Sequence, residues 1–207
     1  MMENQTESSS KIAHPLKETT PSLLVTVVLF IVCLSFGLVS PPSQSDTMLA
    51  GLTETVEQLL SLNPYVLLIV IFLNNAIKAL VAMVLGIALG ILPLLFICFN
   101  GYLMGLVVAA LGPTTSPLVI IAGLLPHGII EIPVILLSSA MGVAIGFESF
   151  KWLVKRESAV KSRLRWCLGI YLKWFVLALL VAAIIEVFLT PLLVSLAGGG
   201  EIPIGIN

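Results

Sequence analysis

The sequence predicts an all-α, polytopic transmembrane bundle of about five spans, with one helix broken at Pro126–Gly128. Charge is scarce: 10% of residues are charged and 58% apolar, with a mean hydropathy of +1.13. A water-facing domain carries roughly 25% charged residues, so most of this exterior must face lipid. The apolar residues also fall in runs near the ~20 needed to cross a ~30 Å hydrocarbon core. Finally, the basic residues gather in a few short segments. A net charge of −1 argues nothing about nucleic acid or acidic substrates; where the charges sit is more informative than their sum. The expected surroundings are the lipid bilayer, with no nucleic-acid partner.

Residues 1–20 (MMENQTESSSKIAHPLKETT) are polar and are expected to form a disordered cytoplasmic tail. The apolar run from Leu23 to Val39 is long enough to span, and no small-residue cleavage signal follows it. Pro21–Ser40 is therefore read as a retained first span, ended by Pro41-Pro42. Within the polar interruption that follows, Leu49, Leu52, Val56, Leu59 and Leu60 recur at helical spacing opposite Glu54, Glu57 and Gln58. That pattern predicts an amphipathic helix near 46–61 on the outer surface.

Tyr65 to Leu111 holds a single charge, Lys78. As one helix it would be ~70 Å long, more than twice the bilayer. It must fold back, and the best turn lies within Gly86–Pro93, which has two glycines and a proline in eight residues. Spans of about 65–87 and 91–111 result. Pro113 to Phe147 contains Pro126-His127-Gly128 and Pro133. A short helix before that interruption and a longer one near 129–147 are expected, because proline removes a helical donor. Broken backbone at membrane depth needs protein or a wet cavity around it, which makes the break a candidate site. The last span is placed at Ile170–Leu196, so one transmembrane domain covers 21–197 and a short outer tail covers 198–207.

Residues 148–169 carry six of the ten basic residues: Lys151, Lys155, Arg156, Lys161, Arg163 and Arg165. Phe150, Leu153, Val154, Val160, Leu164 and Leu168 repeat at helical spacing among them, with Trp152 and Trp166 nearby. This reads as a basic amphipathic helix at an anionic inner leaflet. Cytoplasmic loops collect Lys and Arg. Five crossings with the N-terminus inside and the C-terminus outside put every basic residue except Lys78 at the inner side. The expected location is the cell membrane, as a multi-pass protein.

An ionised side chain at mid-bilayer costs about 2.5–3.5 kcal/mol even on lenient scales. Lys78, Glu131 and Glu186 stand in the spans, with Asn74, Asn75, Asn100 and His127 as polar company. At ~1.5 Å per residue, Lys78 and Glu131 lie ~20 and ~21 Å below the outer boundary, His127 and Asn100 ~15–18 Å, and Glu186, counted back from an outer end near Val194, only ~12 Å. Lys78 with Glu131 is thus the matched-depth pair. Asn74, Asn75, Lys78, Asn100, His127 and Glu131 form the candidate polar cluster, with Glu186 left unpaired. The plain alternative is that these groups only satisfy one another and fix helix register.

Asn74, Lys78, Ala82, Gly86 and Gly90 step by four along one helix face. Gly101 with Gly105, and Ser138 with Gly142 and Gly146, make two further small-residue stripes. Gly86, Gly90, Gly101, Gly105, Gly142 and Gly146 are therefore the expected helix-packing positions. Cys33, Cys98 and Cys167 show no CxxC spacing and read as small apolar helix residues. One intramembrane histidine is too few for a zinc site of ordinary ligand count. The sequence leads us to expect no metal, no cofactor and no catalytic residues.

The order Asn74-Asn75, GIALGILP (86–93), NGYLMG (100–105), PHGIIEIP (126–133) and GVAIG (142–146) resembles the stage II sporulation protein M family. The quoted motifs span roughly 72–147, and the PHG-x-x-E-x-P element is the most specific of them. The resemblance implies a polytopic membrane protein, of a family whose members in endospore formers act as scaffolds for cell-wall hydrolases. A non-enzymatic scaffold or accessory subunit, held to other membrane or envelope proteins or to further copies of itself, is the leading expectation. A transporter, channel or lipid-moving protein using the Lys/Glu/His/Asn cluster is the alternative. An intramembrane enzyme using His127 and Glu131 stands third.

Overall fold

The computed structural model describes residues 15–40, 61–155 and 159–198. The expected outer amphipathic helix near 46–61 lies almost wholly outside these residues, as does the tail from 199 onward. Among the described residues there is no strand, and five helical rods are long and apolar enough to cross a membrane.

The first, α1, runs Pro15–Leu38. It starts earlier than expected, with Pro21 inside it; that proline withholds one amide from the carbonyl four residues back, at Lys17. α2 is Pro64–Val84, with Pro64 in its first turn and the Asn63 side chain accepting from the Tyr65 amide at 2.9 Å. A 3-10 turn, Leu85–Ile87, follows, and α3 is Ile91–Leu111. The reversal falls within the expected Gly86–Pro93 segment. Leu89 (φ 58°) and Gly90 (φ 76°) both take left-handed backbone there, and the Gly90 amide donates to the Gly86 carbonyl at 2.8 Å.

The fourth rod corrects two expectations. α4 is continuous from Pro117 to Lys155, with Pro126 and Pro133 inside it. The helix is not broken at Pro126–Gly128. Each proline withholds one amide, from the carbonyls of Ala122 and Ile129 four residues back. Opening the chain there would instead strand several backbone groups where no water can satisfy them. The lesser loss wins. The basic segment is likewise not one separate helix: residues 148–155 continue α4, and α5 (Val160–Ile170) begins the last rod.

The last rod consists of α5, α6 (Val176–Ile184) and α7 (Thr190–Gly198), joined by π-helical turns at Tyr171–Phe175 and Ile185–Leu189. Its C-terminal limit among the described residues, Gly198, lies beyond the expected Leu196. The Tyr171 hydroxyl donates to the Ala76 carbonyl on α2 at 2.7 Å, a link across 95 positions.

α4 is the hub of the bundle. It touches α1, α2, α3 and, on the last rod, α5, α6, α7 and the Ile185–Leu189 turn, and Ser138 through Gly146 are all buried. The approach is set by missing side chains. A methyl at Gly142 would stand 2.5 Å from the Ala82 carbonyl oxygen and 2.7 Å from Pro93 Cγ. One at Gly86 would strike the Gly142 backbone, and one at Gly146 would strike Gly90. At Gly90 a methyl would lie 3.2 Å from Val143 Cα. On the other side, a methyl at Gly101 would stand 2.6 Å from the Phe30 carbonyl oxygen, and one at Gly105 would strike Leu34. Gly37 makes an equally close contact with Tyr102, and the Cys33-x-x-x-Gly37 spacing was the signal for it. Cys33 and Cys98, whose sulfurs are 3.0 Å apart, sit on this same α1–α3 seam as free thiols.

Gly142→Val should lower stability by about 3 kcal/mol or more, because overpacking typically costs about 1–3 kcal/mol and here the obstacle is backbone. Gly169→Ala should be near neutral, since nothing lies within 4 Å of that position. The thermal midpoint of monodisperse detergent-solubilised protein would separate the two.

Candidate functional site

Continuity of α4 puts His127 and Glu131, four residues apart, on one helical face. Against them stands Glu186 from the last rod. One ligand-capable atom from each of His127, Glu131 and Glu186 lies within 4.8 Å of the others, and all three residues are half-buried. Glu186, unpaired on the sequence reading, is therefore a member of the polar centre.

The reason is a boundary. Counted from the observed end of the last rod at Gly198, Glu186 is twelve residues or ~18 Å deep. Counted from the observed start of α4 at Pro117, His127 is ~15 Å and Glu131 ~21 Å deep. Placing the last boundary near Val194 had made Glu186 too shallow. Its own turn, Ile185–Leu189, is π-helical. Such a bulge inserts a residue into the helical register and is frequent at functional sites.

The other predicted members sit differently. Lys78 is exposed on α2, within electrostatic reach of Glu131. It is not the direct ion-pair partner expected. A direct ion pair is seen instead between Lys151 and Glu148, at 2.8 Å near the basic end of α4. Asn75 is buried, and its side-chain oxygen accepts from the exposed Asn74 at 3.4 Å. The Asn100 amide donates to the Phe96 carbonyl on its own helix at 2.8 Å. Asn100 thus satisfies its own helix, and its expected role in the centre is not supported by any contact with it. The stripe of α2 divides: Ala82, Gly86 and Gly90 face inward, while Asn74 and Lys78 face out.

Two buried polar atoms near this region lack a hydrogen-bond partner: Nδ1 of His127 and Oγ1 of Thr190. Thr190 lies one turn beyond Glu186 on the last rod. In an apolar interior an orphaned polar atom costs about 1–3 kcal/mol. Two carboxylates and an imidazole in such proximity can share a proton or hold a cation, and both uses lower their mutual repulsion.

The proximity of Glu131 and Glu186 has a measurable consequence. In a double-substitution cycle, Glu131→Gln and Glu186→Gln should show a coupling of about 0.5–3 kcal/mol, as neighbouring residues do. Asn100→Ala with Glu186→Gln should add within about 0.5 kcal/mol. Chemical denaturation in mixed micelles reads both.

Comparison with known proteins extends the resemblance beyond the motifs. An uncharacterized protein of Methanocaldococcus jannaschii is 28% identical over 173 residues, covering 82% of this chain and 93% of that protein. No solved structure matches. The family model of stage II sporulation protein M matches residues 26–191, taking in the second half of α1 and most of the last rod as well as the central motifs, and the chain belongs to that family.

Proposed function

We propose that this membrane protein is a scaffold or accessory subunit of a membrane complex, without catalysis of its own. The observation that carries this reading is the outward placement of Asn74 and Lys78 on α2 at membrane depth. Lys78 is fourteen residues, ~21 Å, from the start of α2 at Pro64 and nine residues, ~14 Å, from its other end at Ile87. Neither end is within easy reach of a snorkelling ammonium. Facing acyl chains, that charge costs about 2.5–3.5 kcal/mol. A partner helix bringing an acceptor or a carboxylate removes the penalty. Ile77 and Val81 are exposed beside it, 57% and 42%, and supply the apolar surround of a helix–helix contact.

The basic end of the bundle, with Lys151, Lys155, Lys161 and Arg165 exposed, belongs at the cytoplasmic leaflet under the positive-inside rule. That orientation places the N-terminus inside and the C-terminus outside. A second reading, coupled transport, draws support from the half-buried His127, Glu131 and Glu186, since intramembrane ionisable groups commonly mark substrate or proton paths. The close glycine contacts of α1 through α4 weigh against the helix sliding that such a cycle needs.

A photoreactive side chain in place of Asn74 or Lys78 should crosslink in native membranes to one defined protein, identified by mass spectrometry, or to a second copy of this chain. The same group at Val28, on exposed α1 surface, should give lipid adducts. Lipid adducts at all three positions would remove the scaffold reading. Solute, ion or lipid flux in reconstituted vesicles, abolished by Glu131→Gln, would establish the transport reading.

A further inference from the structure

We propose that His127, Glu131 and Glu186 form an intramembrane binding site for one divalent transition-metal cation of the zinc class, which clamps the last rod to α4. One imidazole nitrogen and two carboxylate oxygens are a donor set that zinc accepts, with water or a hydroxyl completing four-coordination. Ligand atoms ~2.0–2.2 Å from one tetrahedral ion stand ~3.3–3.6 Å apart. The observed span, within 4.8 Å, closes with at most ~1.5 Å of contraction, within the reach of glutamate side-chain torsions.

Charge points the same way. Two carboxylates meet in a poorly screened interior, and besides the His127 imidazole itself the basic side chain in electrostatic reach of Glu131 is Lys78. It is exposed and forms no direct pair with that carboxylate. One distant positive charge does not balance two adjacent negative ones. The orphaned polar atoms add an independent reason. Nδ1 of His127 is buried with no partner, as is Oγ1 of Thr190 one turn beyond Glu186. Coordination, or a metal-bound water, gives such atoms a use. The ligands also come from two rods far apart in sequence, with His127 and Glu131 on adjacent turns of α4 and Glu186 on a π turn. That is how a site holds two helices in register. The site is independent of the scaffold reading, and a structural ion suits a scaffold and a transporter equally.

The test uses the full chain in mild detergent, stripped with a chelator, exposed to Zn²⁺ alone, gel-filtered and measured by elemental mass spectrometry. The expected result is one zinc per chain. Binding should be at least tenfold weaker in Glu186→Gln and in His127→Gln, and unchanged in Glu148→Gln, which lies at the basic end. Gel filtration and circular dichroism report whether each variant folds. Should Glu186→Gln fail to fold, Co²⁺ in the wild-type protein decides alone. Visible d–d bands without a thiolate charge-transfer band support the assignment. A cobalt–thiolate band would move the ion to Cys33 and Cys98 and overturn it. Retention of no zinc by the wild type, or equal retention by a folded Glu186→Gln, would also overturn it, leaving two carboxyl groups that share a proton.

Discussion

The rest of this structure depends on backbone meeting backbone where α4 crosses the α2–α3 hairpin. In a bilayer, turning a leucine from lipid toward another helix gains little, because acyl chains are equally apolar. Close approach is what remains: dispersion between tightly fitted surfaces, which falls away within about an ångström of separation. Gly142 lies against Ala82, Gly86 and Pro93, and Gly146 against Gly90. Together they let the helices come nearer than any side chain would allow. The left-handed turn at Leu89-Gly90 is held in the same contact, so the hairpin's reversal and its docking onto α4 are one feature.

That rigid frame fixes where polar groups can stand. α1 locks onto α3 through Gly37, Gly101 and Gly105, and α3 and α2 lock onto α4. His127 and Glu131 are thereby carried on the element with the most neighbours. The last rod is built differently. It has two π turns and is tied to α2 by the Tyr171–Ala76 hydrogen bond. A π turn widens the helix locally and resets the direction of every later side chain. Glu186 sits in the second of them and meets α4. The firm half of the site is on a straight helix, and the adjustable half is on an irregular one.

The number of spans, the reversal at 86–93 and the packing glycines were legible in the sequence because each follows from composition or spacing alone. The continuity of α4 was not. Pro126, Gly128 and Pro133 are helix breakers by propensity, but propensity scales describe water, where an opened backbone finds hydrogen bonds. In lipid the alternative to a helix is worse than a helix missing two bonds. Glu186 was missed for a metric reason: a boundary set a few residues short displaced it by ~6 Å at ~1.5 Å per residue. The orientation of the α2 stripe was half legible. Stepping by four places Asn74, Lys78, Ala82, Gly86 and Gly90 near one face, yet each step of four overshoots a 3.6-residue turn by ~40°. From Asn74 to Ala82 the stripe has swung ~80°, and beyond Val84 the chain leaves the α-helix for the turn that carries Gly86 and Gly90.

This drift separates the polar residues into two groups with different demands. His127, Glu131 and Glu186 face one another inside the chain and can meet their needs with a proton or a bound ion. Asn74 and Lys78 face outward and cannot be satisfied by the chain itself, beyond the Asn74–Asn75 contact. Lys78 joins the two groups, since its charge is felt at Glu131 while its ammonium is exposed. A partner carboxylate set against Lys78 would neutralise its charge and weaken its pull on Glu131. Any cation held at His127 would then be repelled less by that same ammonium. Occupancy of the outer face and occupancy of the inner centre would therefore be coupled through a single lysine, with the same sign, and by linkage each would strengthen the other equally.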